Sequence, residues 1–519
     1  MPNKFLVGCA AAVALALGVS HAAHAAVFDV RTFGAKADGK TLDRDAINQA
    51  IDAASVAGGG TVSFPAGTYL TGSIRLRSNI TLQLDHGASI VASTDTTTYD
   101  PSLSSLIGGE GLENVSIVGD GLISGTGALV RQARAGRNDP DKAVALKLCR
   151  NVTLRDFSVL SGGHSGVWLL GVDNLTVDNL KVDTNRDGID VDSCRNVRIS
   201  NTSVNSPNDD GICLKASLGL GFARATENVT ITNCLVSGYD IGSLLDATYK
   251  RNVKVAPDRD GPTGRIKMGT GGEGGFKNIT ISNVVFDRSR GLALESVDGG
   301  SLEDISISNI TMRDVSNSPI FIRLGNRQRA PGKVTPVGTA RRVSISHLVV
   351  YDADPRYPSI ISGIPGHDVE DIKLSDIRIV CRGGLTLDHA ARQPVEMAST
   401  FFAAPSRGGV VPPREPFAVP EREGEYPEPS MFGVLPAYGF FIRHVNGIEL
   451  NNVEVGFAQE DRRPAFVLDD VSGADFQHVK AQKAAGVSTI VLQKVEDFTA
   501  HSCTPVADTK IAKADRREL

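Results

Sequence analysis

Short apolar–polar alternations recur along most of the chain, and each is introduced by the same small phrase. An Asn followed by Val, Ile or Leu precedes an alternating run at Asn79 (NITLQL), Asn114 (NVSIVG), Asn151 (NVTLRD), Asn174 (NLTVDN), Asn196 (NVRISN), Asn228 (NVTITN) and Asn278 (NITISN). Looser copies stand at Asp304, Arg342, Asp371 and Gly447. Period-two alternation marks strands with one buried face. An Asn at the corner tolerates the left-handed conformation that a sharp turn needs, and stacked copies can form a ladder. The tightest intervals are 22 and 23 residues. That is too short for a four-stranded propeller blade and suits one turn of a stacked coil. The expected fold is all-β, a right-handed parallel β-helix in which each coil completes its core against its neighbours.

Before the first repeat, Val27–Gly59 reads as a strand, a turn and a helix from about Asp43 to Ala54, with Ile47, Ile51 and Ala54 on one face. A helix here caps the open end of the stack, whose first strand would otherwise expose an unpaired edge. Residues 26–503 are read as one catalytic β-helix domain, interrupted by a proline-rich insertion at about 384–438 that is expected to fold over the coil and wall a cleft. Residues 504–519 are polar and expected to fray.

Residues 1–25 carry Lys4, an apolar run from Phe5 to Val19 and the small-x-small site Ala23-His24-Ala25, which reads as a signal peptide. The protein is therefore expected in the periplasm or outside the cell, as a monomer without a membrane span. Aromatics are 5% of residues, glycines number 54 and the formal charge is −5. No basic run suggests nucleic acid. Six cysteines follow the leader, at 149, 194, 213, 234, 381 and 503. No CxxC or Cys/His cluster offers a zinc site, and wide spacing within apolar runs favours free, packed thiols over disulfides. Neither a metal nor a cofactor is expected.

The chemistry concentrates in Asn185–Ser217. Asp187 and Asp209-Asp210 stand 22 residues apart, about one coil, each at the start of an apolar run, with Asp190 following the first. Paired carboxylates on a rigid wall are what glycosidic bond cleavage requires. Tyr239 follows about one coil later, and Arg265-Ile266-Lys267 another coil on, with both cations on one face of a strand. Four coils would carry this ladder over roughly 15 Å. Paired cations beside carboxylates suit the carboxylate of a sugar acid. Glu295 is a further candidate for sugar hydroxyls, and His164 (beside Trp168) and His367 are candidates to reach the cleft from loops.

These motifs, in this order, resemble glycoside hydrolase family 28, the polygalacturonase and rhamnogalacturonan hydrolase family of the pectin-lyase-like superfamily. The family's Asn-Thr-Asp reads Asn185-Arg186-Asp187 here, its Asp-Asp is Asp209-Asp210, and its Arg-Ile-Lys is Arg265-Ile266-Lys267. Its Gly-His-Gly is replaced by Gly238-Tyr239-Asp240, so the histidine is lost. The resemblance implies an inverting, exo-acting hydrolase of galacturonate-containing pectic chains. Asp209 would be the general acid, and Asp187 and Asp210 would hold and deprotonate the water. Asn185, Tyr239, Arg265, Lys267 and Glu295 would bind substrate. Two alternatives stay open: a calcium-dependent lyase, which a chelator would block, and a non-catalytic uronate-binding solenoid, which would release no reducing ends.

Overall fold

A computed structural model of the chain describes residues 26–130, 139–328, 334–397 and 411–519. The expected signal peptide lies outside the described residues. The repeating Asn sits at the same corner in every coil. Asn79, Asn114, Asn151, Asn174, Asn196, Asn228 and Asn278 all have φ between 54° and 61°, the left-handed region that Asn tolerates better than most L-residues. Each side-chain amide donates to the Oδ1 of the Asn one coil before, for example Asn174 to Asn151 at 3.0 Å and Asn196 to Asn174 at 3.2 Å. The looser copies Asp304, Arg342, Asp371 and Gly447 keep the positive φ and occupy the same corner. A second left-handed corner follows each strand, at Asn179, Asn201, Asn233, Asn283 and Asn309 among others.

Two such corners and a third bend divide each coil into three strands, so the stack has three faces. Strands pair in parallel from Val27 to His501. Val, Ile and Leu point inward and stack in rows such as Val167, Ile189, Ile212, Ile266 and Leu292, each at most 1% exposed. The entry helix spans Arg44–Val56 and seals the first coil with Ile47, Ala50, Ile51 and Ala54, all fully buried. The six described cysteines are free, and all but Cys503 are buried.

Two expectations need correction. The C-terminal tail does not fray. Thr509–Glu518 is a strand that pairs antiparallel with Ile490–His501, burying Ile511 and Ala514. Its polar composition hides the alternation because only its inward residues are apolar. Tyr239 does not mark a coil of its own. The strand Thr226–Ser237 runs along two faces without interruption, and 238–265 is a long connection. On the site-bearing face, Ile266–Met268 therefore pairs directly with Ile212–Lys215.

The described parts of the insertion, 384–397 and 411–438, form a strap, with a short helix at Leu387–Arg392 and a helical turn at Pro429–Phe432. Its Val419, Met431, Phe432, Leu435 and Ala437 pack on the outer row Ala293, Phe321, Ile360, Phe441, Val467 and Val491 of the site-bearing face. Two buried arginines pin it through its backbone carbonyls. Arg323 donates to Glu421 O at 2.7 Å, and Arg443 to Val419 O at 2.7 Å. Both guanidinium groups lie over the Phe432 ring. The outer face is thus covered beyond Lys267.

Candidate active site

The strand Asp187–Asp192 lies between Ser165–Leu170 and Ile212–Lys215. Their register offset is 23 residues on the second side, so the coil stacks Asp187 on Asp210, and Arg186 on Asp209. Each stacked aspartate is followed by glycine, and here Asp-Gly is part of the strand start rather than a free turn. Gly188 has no room for a side chain, since a Cβ would lie 2.4 Å from Gly211 O. The close approach holds the two strand starts together, and Gly188 N donates to Asp210 O at 2.9 Å.

Carboxylate oxygens of Asp187, Asp209 and Asp210 all lie within 4.8 Å of one another. Asp209 keeps 23% of its side chain exposed, against 6% for Asp187 and for Asp210, so Asp209 is the carboxyl a ligand can reach. Burial, reinforced by Asp187 and Asp210, pushes Asp209 up to about 6, with Arg186 opposing. Burial and Asp190 push Asp187 up to about 6, with Lys215 opposing. Burial would raise Asp210 too, but Arg265 and Lys267 overcome it and hold that carboxyl at about 2. One environment thus divides three carboxyls into two that exchange protons near neutral pH and one that stays ionised. Asp187 Oδ1 is buried and has no hydrogen-bond partner among the described residues.

Two neighbours of this cluster, Lys215 and Ser165, are not marked by any motif, and a third, Arg186, stands inside one. Lys215 bridges Asp187 at 3.1 Å and Asp190 at 2.6 Å. A lone lysine at a strand end gives no signal until the register puts it beside Asp192, two residues past Asp190. Ser165 Oγ donates to Asp190 at 2.5 Å. Arg186 donates from Nε to Asp209 Oδ2 at 2.6 Å and lies 3.0 Å from His164 Nδ1 through Nη1. His164 thereby reaches the acid through an arginine. His367 sits in an exposed turn bridged to Ile364, three strands beyond Lys267 on this face.

The predicted binding residues are placed differently from expectation. Asn185 is half-buried in the turn before Asp187. Tyr239 points away from the carboxylates: its hydroxyl donates to Asp287, its ring lies under Arg251, and it meets Tyr249 edge-on. The long connection carries it to a neighbouring face. Arg265 and Lys267 face outward as predicted but are only 3% and 1% exposed, because the strap covers them. Arg265 donates to Asp210 at 2.6 Å and to both oxygens of Glu428, at 3.2 and 3.0 Å. Lys267 Nζ donates to the Tyr426 hydroxyl at 2.9 Å and lies 3.4 Å from Glu295. Glu295 is fully buried beneath Lys267, not in the cleft, and burial pushes it up to about 7 against the pull of Lys267 and Arg265.

Residues 56–293 match the sequence model described as "Glycosyl hydrolases family 28". The matched segment belongs to glycosyl hydrolase family 28. The matched segment holds the three aspartates, Arg265 and Lys267, and stops short of Glu295, Tyr426 and Glu428. The chain is 26% identical over 315 residues to "Probable polygalacturonase" of Vitis vinifera, covering 54% of this chain and 60% of that protein. It is 22% identical over 422 residues to "Exo-poly-alpha-D-galacturonosidase" of Dickeya chrysanthemi, covering 66% and 65%. The alignments thus span somewhat under two thirds of these relatives. Among solved structures, the family 28 exopolygalacturonase of Yersinia enterocolitica superposes with a TM-score of 0.60 at 18% identity, over 87% of this chain and 78% of that one. The Yersinia structure shares the fold of this chain.

The three aspartates are also close enough to offer ligands to one cation. Arg186, Lys215, Arg265 and Lys267 already pair with them, which offsets the negative charge a divalent ion would need.

Proposed function

We propose that this protein hydrolyses glycosidic bonds in galacturonate-containing pectic polysaccharides or oligosaccharides. The observation that carries the reading is the trio itself: three carboxyls within 4.8 Å, inside the family segment, with the exposed one shifted to about 6. Protonated Asp209 gives its proton to the leaving glycosidic oxygen. Asp187, ionised and with Oδ1 lacking a hydrogen-bond partner among the described residues, takes a proton from the attacking water. Asp210, held ionised by Arg265 and Lys267, orients that water and stabilises the positive charge growing on the sugar ring. Family membership supports a single displacement with inversion.

End-on attack is supported by the strap, which covers the face beyond Lys267. The exo-acting relatives agree with it. Export rests on the sequence of residues 1–25. Among the described residues no helix is long and apolar enough to cross a membrane. We take the protein to act as a monomer on plant cell-wall material.

The test is Asp209→Asn, which should abolish release of reducing ends while leaving the fold and ligand binding intact. Near-wild-type turnover would remove the acid from its role. NMR of the first-formed anomer reads the stereochemistry. A retained anomer would replace the single displacement with a covalent one. The carboxylate cluster favours a cation-dependent elimination as the other reading; loss of activity with chelator and an unsaturated, ultraviolet-absorbing product would establish it instead.

A further inference from the structure

Arg265 presents a planar fork, and a carboxylate already fills it. Glu428 comes from the strap, 163 residues away in sequence, and takes one donor on each oxygen from Arg265. This is the bidentate pairing with which an arginine grips a sugar acid. Glu428 also accepts from Arg290 Nη1 at 3.2 Å and from Asn317 Nδ2 at 3.3 Å, and it is 1% exposed. The third Arg265 nitrogen, Nε, donates to Asp210.

Lys267 is equally committed. Its ammonium meets Tyr426, Glu295 and Asp210 and lies over the Tyr426 ring. Around this end of the groove three cations, Arg265, Lys267 and Arg290, face four carboxyls, Asp210, Glu428, Glu295 and Asp258. No positive charge is left over. A further carboxylate arriving with substrate would find its partners occupied and would meet Asp210 and Glu428 as like charges in a poorly solvated site.

The strap is not a loose cover. Phe432 and Met431 follow Glu428 within four residues and are fully buried on the sheet, and Arg323 and Arg443 hold the preceding segment by its carbonyls. Withdrawing Glu428 would break this packing and leave Arg265 with Asp210 alone and Arg290 with Asp258 alone in a buried site.

We infer that Glu428 is a specificity residue: it occupies, from within the chain, the place of a substrate carboxylate, so that the sugar seated against Arg265 and Lys267 is an uncharged one. The inference rests on the hydrolase reading above and names its substrate class. The preferred ligand is a chain in which a neutral sugar alternates with galacturonate, as in rhamnogalacturonan, rather than one with a carboxylate on every residue. Asp209 and its water are unchanged by it; only the neighbour across the scissile bond is specified.

The experiment measures binding, so it does not depend on turnover. In an Asp209→Asn background, calorimetry compares an oligogalacturonate with an alternating rhamnose–galacturonate oligomer of the same length. With Glu428 in place the alternating oligomer should bind at least tenfold more tightly. Glu428→Gln should raise the affinity for oligogalacturonate about tenfold or more and change the alternating oligomer less than threefold. Glu428→Ala serves as the second variant, because it empties the fork even where the amide keeps Arg265 engaged; circular dichroism and the melting transition show that each variant is folded.

Equal affinity for the two oligomers with Glu428 in place, or a variant effect of the same size on both, overturns the inference. So does tight oligogalacturonate binding accompanied by faster amide exchange across 419–432, which would mean that the strap lifts to let a carboxylate in. The predicted binding pattern without reducing-end release from otherwise unsubstituted protein would remove the hydrolase reading and leave the role of Glu428 standing.

Discussion

Arg186 and Asp209 form a direct ion pair at 2.6 Å, one coil apart, at the carboxyl assigned as the acid. The arginine favours the ionised form and so opposes the burial and like charges that raise Asp209 to about 6. Replacing it with the uncharged threonine typical of the family should raise the Asp209 pKa, on the order of one unit. The acid then stays protonated to higher pH. The alkaline limb of the kcat/KM profile, expected near pH 6 in the unsubstituted protein, should move upward in Arg186→Thr. A limb that stays in place would show that another group sets it.

Lys215 acts in the same direction on Asp187, the carboxyl proposed as the base. It lowers the Asp187 pKa against burial and Asp190. Lys215→Met should raise that pKa, so Asp187 is protonated over more of the acidic range. The acidic limb should shift to higher pH and kcat should fall by about 10²-fold at its optimum, the scale of losing a positioned base. A change confined to KM would assign Lys215 to ligand binding instead.

Glu295 titrates at about 7 in the folded protein, above its ordinary 4.5, because burial disfavours its charge. The folded state therefore binds more protons than the unfolded one between those values. Stability from this group is greatest below about 4.5 and declines as pH rises toward 7. Glu295→Gln should flatten the dependence of Tm on pH across that window. An unchanged slope would mean that the charge at this position is compensated by Lys267 throughout.

Asn174 holds a φ of 56° and two ladder hydrogen bonds. Asn174→Ala should cost about 2 kcal/mol, since a left-handed residue with a Cβ carries a penalty of about 1–2 kcal/mol. Asn174→Gly should recover more than half of that loss, because the backbone is then unstrained and only the exposed ladder contact is missing. Denaturant melts of the two variants separate the terms; equal losses would put the stability in the ladder rather than the corner.

Phe432 tests the strap. It is fully buried between two arginines and the apolar outer row. Phe432→Ala should destabilise the fold by roughly 3–5 kcal/mol, as other buried aromatic truncations do. It should also speed amide exchange across the strap more than across the coils. Uniform acceleration would show that strap and coils unfold as one unit.

The coil was legible because its signal repeats. Each Asn-Val phrase marks the same left-handed corner, so even copies that replace Asn with Asp304 or Arg342 fall into place. The carboxylates were legible as a group, but their stacking order depends on a register offset of 23 residues on one side of the strand. That offset makes Asp210, not Asp209, the neighbour of Asp187. The strap carries no period, so nothing in a proline-rich stretch distinguishes Glu428 from Glu421 or Glu425. Its burial under the sheet's outer face is a tertiary fact, and it is also what turned Arg265 and Lys267 from expected open cations into committed ones. Tyr239 was misplaced for a related reason: counting coils by length assumes short connections, and 238–265 is not short.

The antiparallel strand Thr509–Glu518 has a consequence for assembly. A parallel stack is in principle endless, because each coil is a template for another with the same direction and spacing. A reversed strand has a different hydrogen-bond pattern and offers no such template. Its outer positions also carry Lys510, Lys513, Arg516 and Arg517, charges that discourage a second edge from docking. Together with the helix at the other end, it turns a filament-forming geometry into a particle of fixed length.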